Sequence, residues 1–198
     1  MTKATDFADL VRKTRSIRRF YENRPLTENG LKELVDLARL SPNAGNKQTL
    51  RFHVVSGAAA CAEVFPTLAW AGYLRDWAGP QPGERPTGYI VILTDKRPGA
   101  DFPADLGIAA QSILLGATAH GWGGCFIGCV QREELAKRLH FTDNPVYTDY
   151  AIGLVIALGV PKEEVFIEAV PPGGDIKYYR DAQGGHHVPK RALQEIII

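Results

Sequence analysis

The segment from residue 103 to residue 120 carries apolar side chains on nearly every side of the helix that its sequence predicts. A helix that is apolar all round is buried, either inside a core or against another subunit. The apolar run is broken by Gln111, Ser112 and Thr118 and is shorter than the ~20 residues that span a bilayer. Gly121 follows where glycine commonly ends a helix. The fold must therefore be built around this helix.

The remaining segments predict a mixture of helices and strands without a strict βαβ alternation, which favours an α+β domain. Further helices are predicted at 5–14, from Thr27 to Leu40, and near 58–65 and 131–139, and strands at 51–56, 88–94 and 151–160. The last two strands are apolar on both faces and should be central. No linker or repeat divides the chain, so we expect one domain spanning residues 1–198.

The tail from residue 162 to residue 198 shows no core-forming pattern until its three final isoleucines, Ile196, Ile197 and Ile198. Exposed apolar residues of this kind favour aggregation. We therefore expect the three isoleucines to pack against protein, and a second subunit is one candidate.

The charge balance excludes two broad classes of function. The chain has 23 Lys and Arg against 22 Asp and Glu, a net charge of +1. Proteins that bind nucleic acids or membrane surfaces normally carry a basic excess, so we expect neither partner.

The three cysteines, Cys61, Cys125 and Cys129, indicate a reducing compartment rather than a disulfide framework. The first residues lack the apolar run of a signal peptide, so we expect a cytoplasmic protein. The spacing from Cys125 to Cys129 is not C-x-x-C, and we predict no metal site even with His186 and His187 in the tail.

Basic residues cluster near both ends of this nearly neutral chain. The first cluster is Arg15-Ser16-Ile17-Arg18, and the second is Val188-Pro189-Lys190-Arg191. Guanidinium groups pair with phosphate oxygens in a bidentate geometry. Solvated charges at a helix end and in a tail are the alternative. The two clusters together lead us to test a phosphorylated small cofactor.

Residues 41–48 form a segment rich in amides and hydroxyls between a helix and a strand. A helix-terminating turn explains its Pro, Asn and Gly residues. The amides of Asn46 and Gln48, just before the strand, would also suit the edge of a heterocycle such as a flavin.

A glycine-rich segment, residues 121–129, has neither G-x-G-x-x-G spacing nor the ending of a P-loop. Two explanations of the glycines are open. The backbone of this segment would either pack closely against other protein or lie flat against a planar ring.

In their order, these pieces resemble the nitroreductase family of flavoproteins. The match runs through residues 15–20, 41–48, 51–55, 105–111, 121–128, 152–160 and 188–191. The resemblance implies an α+β, three-layer fold with a mainly antiparallel sheet flanked by helices. It also implies an intertwined homodimer with two FMN sites at its interface.

The resemblance further implies roles for individual residues. The FMN phosphate and ribityl chain would be held by Arg15, Ser16 and Arg18, joined by Lys190 and Arg191. The ring would be approached from the other subunit by Pro42, Asn43 and Asn46, with Gln48 supporting their loop. N5 of the ring would face the backbone amides around Phe126, Ile127 and Gly128. Many relatives carry Arg or Lys where this chain has Thr14, so its phosphate site would depend more on Lys190 and Arg191.

The implied activity is an FMN-dependent oxidoreductase. NAD(P)H would pass a hydride to flavin N5, and a nitroaromatic, quinone or similar acceptor would then take the electrons by a ping-pong mechanism. No catalytic side chain is required, because the flavin carries the chemistry. A flavin carrier or sensor, or other flavin chemistry such as dehydrogenation or dehalogenation, remains open. The natural acceptor and the choice between NADH and NADPH are open as well.

The proline-rich stretch within residues 66–87 contains three aromatic side chains, Trp70, Tyr73 and Trp77. They would either line the substrate pocket as part of a lid over the flavin or belong to the ordinary core.

Overall fold

The computed structural model of the chain describes residues 3–100 and 102–198, without the side chains of residues 3–5. The helices are α1 (Lys3–Lys13), α2 (Glu28–Leu40), α3 (Ala58–Val64), α4 (Pro103–Ala119) and α5 (Arg132–Arg138). The strands are β1 (Arg51–Ser56), β2 (Gly88–Asp95), β3 (Gly123–Ile127), β4 (Tyr150–Gly159), β5 (Val165–Ala169), β6 (Tyr179–Arg180) and β7 (His186–Lys190).

A four-stranded antiparallel sheet in the order β1-β2-β4-β3 forms the middle of the molecule. The predicted central position of β2 and β4 is confirmed. Their apolar residues on both faces are buried because both faces are covered. A β-bulge between Ile92 and Leu93 shifts the register between β2 and β4.

Helices cover the sheet on both sides, which confirms the predicted three-layer α+β fold. On one side α2 and α4 pack on Ile90, Ile156 and their neighbours in the sheet. On the other side α3 and α5 pack on Val91, Val155 and adjacent residues. Alternate residues of one strand thus serve two separate cores.

The apolar helix α4 is buried mainly where it faces α2 and the sheet. A Cβ at Gly116 would lie 2.3 Å from Leu37 Cδ1, so only glycine permits this close approach to α2. Away from this contact Ile108 is 38% exposed. Gly121 follows the helix with a φ of +74°, as expected for a residue that ends a helix.

Two parts of the chain are more regular than their sequence indicates. The glycine-rich segment contains strand β3, and the tail forms a second sheet in the order β5-β7-β6. Strands β3 and β7 contain glycine, histidine or Pro189 and lack the apolar alternation by which strands are predicted. Strand β5 has three apolar residues in a row, but it is largely exposed rather than part of the core. Ile196, Ile197 and Ile198 are exposed in the single chain, so their packing on another subunit stays a prediction.

None of the described helices combines the length and the apolar character that crossing a membrane requires.

Candidate functional site

The first basic cluster lies directly beside the glycine-rich strand. The amide of Ile17 donates to the carbonyl oxygen of Gly124 at 2.9 Å, and Ser16 forms a parallel bridge with Gly124. Ile17 packs so closely that a Cβ at Gly123 would be 2.8 Å from its Cγ1. Two motifs that are more than one hundred residues apart in sequence are therefore neighbours.

A buried carboxylate, Glu163, fixes the backbone of this cluster. It accepts hydrogen bonds from the amides of Arg18 and Arg19, the latter at 3.2 Å. It also forms an ion pair with Arg180 at 2.7 Å. Its side chain is almost wholly buried, so the charge is compensated by these donors rather than by water. Sequence reasoning missed Glu163, and no motif around it marks this role.

The Arg18 guanidinium has no carboxylate partner within residues 3–100 and 102–198. Its Nη1 lies 3.3 Å from His186 Nε2, and its Cζ lies 5.0 Å from the centre of the Tyr178 ring. Burial, and then the charges of Arg18 and Arg180, lower the pKa of His186 to about 4. A neutral His186 accepts a hydrogen bond from Arg18 and leaves its charge uncompensated.

Arg15 points to a different place from Arg18. It lines an open cleft of about 530 Å³ together with Arg12 and Lys13, and Arg18 is not part of that lining. Its Nη2 donates to the Val11 carbonyl oxygen at 3.0 Å, and its buried Nε has no hydrogen-bond partner. Burial lowers the pKa of Arg15. The two predicted phosphate ligands are thus separated in the single chain, while Ser16 between them is exposed.

Arg19 has a structural role, because its guanidinium is bound to a carboxylate of the chain. Its guanidinium makes two hydrogen bonds to Glu84, at 2.7 and 2.6 Å, and Lys162 lies 3.1 Å from the same carboxylate. The hydrogen bond from Arg19, reinforced by Lys162, lowers the pKa of Glu84 to about 2.

Thr14 also has a structural role. It is buried and donates to the carbonyl oxygen of Leu10 at 2.8 Å, with Thr118 Oγ1 3.1 Å away. The Thr14 side chain therefore faces helix α4.

The second basic cluster is not in contact with the first. Lys190 and Arg191 are exposed at the far end of β7, and Arg191 lies 3.9 Å from Glu195. The contact between β7 and Arg18 is made by His186, four residues before Lys190. At about 3.3 Å per residue, Lys190 lies on the order of 13 Å further along the strand.

The loop of residues 41–48 has a strained backbone that its own side chains hold. Asn46 and Gln48 both adopt left-handed φ values, +52° and +51°, which cost non-glycine residues about 1–2 kcal/mol each. Asn43 Oδ1 accepts the Gln48 amide at 3.0 Å, and Gln48 Nε2 lies 3.3 Å from Asn46 Oδ1. Gln48 therefore contacts the loop that it is expected to support. Such strain is common at functional sites.

Helix α4 anchors the start of this loop. The buried Asp105 accepts the Ala44 amide at 2.9 Å, and Ser41 and Ser112 share a hydrogen bond of 2.7 Å. A pocket of about 290 Å³ beside the loop is lined in part by Pro42, Asn43, Gln48 and Asp105.

Strand β3 ends at an open edge. A Cβ at Gly124 would meet the Ala157 carbonyl oxygen at 2.3 Å, whereas Gly128 has no neighbouring atom within 4 Å of its Cβ position. Phe126 is 41% exposed and Ile127 is buried. Close packing therefore accounts for Gly124, while the backbone at Gly128 is accessible to a ligand.

The three aromatic residues of the predicted lid separate by environment. Trp70 is buried in the core, which fits the alternative that it is an ordinary core residue. Trp77 packs against Trp70 and has the Arg180 guanidinium 4.1 Å from its ring centre. Tyr73 is exposed and contacts Tyr178 of the tail. The segment therefore touches the same tail residues that surround Arg18.

The cysteines and possible metal ligands offer little further chemistry. Cys61 and Cys125 are buried, Cys129 is exposed, and all three are unpaired. Burial raises the pKa of Cys61 to about 11 and of Cys125 to about 12, so both thiols stay protonated. Across the part of the chain that the structure describes, no three His, Cys, Asp or Glu side chains are grouped as a metal site.

The chain belongs to the Nitroreductase family, whose family model matches residues 11–160. A curated relative from Archaeoglobus fulgidus, "Putative NADH dehydrogenase/NAD(P)H nitroreductase", is 26% identical over 155 residues, covering 76% of this chain and 83% of the relative. A Bacillus subtilis relative, "Putative NAD(P)H nitroreductase YodC", is 26% identical over 172 residues, covering 72% and 85%.

Solved structures share the fold. A Desulfovibrio desulfuricans protein described as a putative nitroreductase in complex with FMN aligns with a TM-score of 0.65 at 20% identity, covering 96% of this chain and 94% of that chain. An FMN-dependent nitroreductase of Clostridium difficile aligns with a TM-score of 0.60 at 22% identity, covering 78% and 87%.

Proposed function

We propose that the protein is an FMN-dependent NAD(P)H oxidoreductase that reduces nitroaromatic, quinone or similar small acceptors. The observation that carries this proposal is the hydrogen bond between Ile17 and Gly124, which joins the basic cluster to the glycine-rich strand. Family membership and the names of the relatives support the same activity. Three unpaired cysteines suit a reducing compartment, and we place the protein in the cytoplasm.

The residues at the basic cluster fit the phosphate of FMN. Arg18 lacks an anionic partner among the described residues, and Arg15 has a buried, unpartnered Nε. An unpaired buried donor costs free energy until a partner arrives. Ser16 is exposed between them and would add a hydroxyl donor. We retain Lys190 and Arg191 as phosphate ligands only if the tail moves toward Arg18.

The open edge of β3 and the strained loop fit the two sides of a planar ring. We assign the amides around Phe126, Ile127 and Gly128 to the N5 edge, because the backbone at Gly128 is accessible. Pro42, Asn43 and Asn46 would approach the ring from the partner subunit of a homodimer. The exposed Ile108 on α4 and Leu40 beside the loop supply an apolar surface for that dimer.

The site residues would hold FMN, which would supply the hydride and electron transfer between NAD(P)H and the acceptor. The chain's own residues bind and orient: Arg18 compensates the phosphate, Glu163 fixes the Arg18 backbone, and the β3 amides would hold the N5 edge. We assign no side chain to proton transfer. Tyr73 is the aromatic of residues 66–87 best placed for the substrate pocket, since it is exposed. Trp77 would support Tyr73 in the substrate pocket.

A spectrum of the purified protein and a turnover assay test the proposal. We expect bound flavin, identified as FMN after release, and continuous NAD(P)H oxidation when menadione or a nitroarene is supplied. A protein that is bleached once by NAD(P)H and then stops would be a flavin carrier or sensor. A colourless protein that does not bind added FMN would refute the proposal.

A further inference from the structure

Arg132, outside all the predicted site residues, reaches back from helix α5 to the open end of β3. Its Nε donates to the Ile152 carbonyl oxygen at 2.9 Å, and its Nη2 lies 3.2 Å from the Gly128 carbonyl oxygen and 3.4 Å from that of Gly153. One guanidinium thus joins the turn after β3 to strand β4.

Arg132 does not stabilise helix α5 from its position in the first turn. The first turn of a helix presents unpaired amides, and a cation there opposes the helix dipole. Glu133 and Glu134 already supply the favourable charge. The reason for an arginine at this position therefore lies in the three carbonyl groups that it contacts.

Those carbonyl groups lie where strand β4 is no longer paired with strand β3. Strand β3 ends at Ile127, which pairs with Val155, so the earlier part of β4 has no β3 neighbour. Gly153 is skipped in the pairing with β2 because of the bulge there. Arg132 donates the hydrogen bonds that a longer β3 would otherwise supply.

The same contacts orient the peptide after Gly128. The N–H and C=O groups of a trans peptide point in opposite directions. Because the Gly128 carbonyl is directed at Arg132, the Cys129 amide is directed away from it. Gly128 has no neighbour at its Cβ position. The residues after it are held by main-chain contacts, since the Cys129 carbonyl oxygen accepts the Ala69 amide at 3.0 Å and Val130 forms a bridge with Leu68. The contact from Arg132 is the one made to the Gly128 carbonyl oxygen itself.

We propose that Arg132 is a positioning residue that fixes the Gly128 turn so that its amides face the flavin N5 edge. This inference rests on the proposed function for its role in flavin chemistry. The ordering of the turn itself does not depend on flavin, and the two claims can be measured separately.

The test compares Arg132→Gln with Arg138→Gln, a matched control on the same helix whose guanidinium binds Glu134 and Glu63 instead. Hydrogen exchange of residues 127–131 is followed in the full-length protein without flavin. We expect exchange to accelerate about tenfold in Arg132→Gln only, the order for one lost hydrogen bond to a charged group. Unchanged exchange would overturn the proposal.

The second measurement uses the flavin-loaded protein. We expect Arg132→Gln to slow reduction of bound FMN by NAD(P)H about tenfold in stopped flow, while FMN affinity changes less than about threefold because the phosphate contacts are intact. Arg132→Lys should fall between, since one ammonium cannot contact all three carbonyls. A lower melting temperature with an unchanged reduction rate would show a purely structural role and overturn the assignment.

The outcomes separate the two claims. If the wild type binds no FMN but Arg132→Gln still accelerates exchange of the turn, the proposed function fails and the ordering of the turn stands. If the wild type turns over and the variant matches it in both measurements, the inference about Arg132 fails and the proposed function stands.

Discussion

The two basic clusters look alike in sequence but differ in how the structure holds them. Residues 15–18 are fixed by main-chain hydrogen bonds to β3 and to the buried Glu163. The main chain of Lys190 is also held, because its carbonyl oxygen accepts the Val170 amide at 3.0 Å, but the side chains of Lys190 and Arg191 are exposed. Arg15 and Arg18 are partly buried, and a side chain with fewer accessible rotamers loses less conformational entropy on binding a phosphate. Composition alone does not reveal this difference.

The strongest test removes the anchored cations. We expect the double variant Arg15→Ala, Arg18→Ala to weaken FMN binding at least about a hundredfold, because each charge-assisted hydrogen bond contributes roughly 1.5–3 kcal/mol. FMN retention after dialysis and a titration of the apoprotein measure this. Lys32→Ala, an exposed helix residue paired with Glu28, is the control. Full retention by the double variant would remove the phosphate assignment.

The single variants decide whether the separation of Arg15 and Arg18 persists in the loaded protein. We expect Arg18→Ala to weaken FMN binding about ten- to a hundredfold. An equal loss in Arg15→Ala would show that its side chain leaves the cleft to join Arg18.

The second test removes the anchor rather than the cations. Glu163→Gln leaves the mostly buried Arg180 without its anionic partner, and losses at buried ion pairs cost about 3 kcal/mol in the free energy of unfolding. Urea unfolding followed by circular dichroism measures the change, with the exposed Glu133→Gln as control. Equal stability of both variants would mean that Glu163 does not anchor the cluster.

The third test concerns His186, the one β7 residue that contacts Arg18. Its pKa is about 4 in the folded chain and about 6.5 when unfolded, so only the unfolded state takes up a proton between these values. This contribution to stability is complete above pH 6.5 and is lost as the pH falls toward 4. We expect His186→Gln to show a flatter decline of unfolding free energy across that range.

The exposed His140→Gln is the control for His186, and it should keep the wild-type pH dependence. The neighbouring His187 acts in the opposite direction. The hydrogen bonds that His187 donates to Asp181 and Glu168 raise its pKa, so its contribution is lost as the pH rises through that raised value. An unchanged slope in His186→Gln would contradict the burial of a neutral imidazole beside Arg18.

The smallest effect is expected at the tail. Each of the single variants Lys190→Gln and Arg191→Gln should weaken FMN binding no more than about fivefold, because one exposed charge contributes up to roughly 1 kcal/mol. The same titration measures it. A loss as large as that in Arg18→Ala would show that the tail closes over the phosphate, as the resemblance to the family implies.

Much of the fold could be predicted from local pattern. The burial of β2 and β4 follows from strands that are apolar on both faces, and α2 begins at its capping Thr27. Strands β3 and β7 were missed because their glycine, histidine and proline residues show no apolar alternation, and β5 was missed because its short apolar run lies outside the core. The site residues came from a motif, which gives residue types but neither side-chain direction nor contacts such as those of Glu163.

Hydrophobic periodicity in the sequence determined which faces of the helices and strands must be buried, while the three-layer arrangement followed from the resemblance to the nitroreductase family. The sequence also determined the residue types available for a phosphate and a ring. Only the tertiary structure decided that Arg18 has no carboxylate partner among the described residues and that Arg19 is bound to Glu84. It also decided that Thr14 faces α4 and that Arg132 contacts the Gly128 turn. Each of these depends on contacts between residues distant in sequence, whose geometry no local pattern contains.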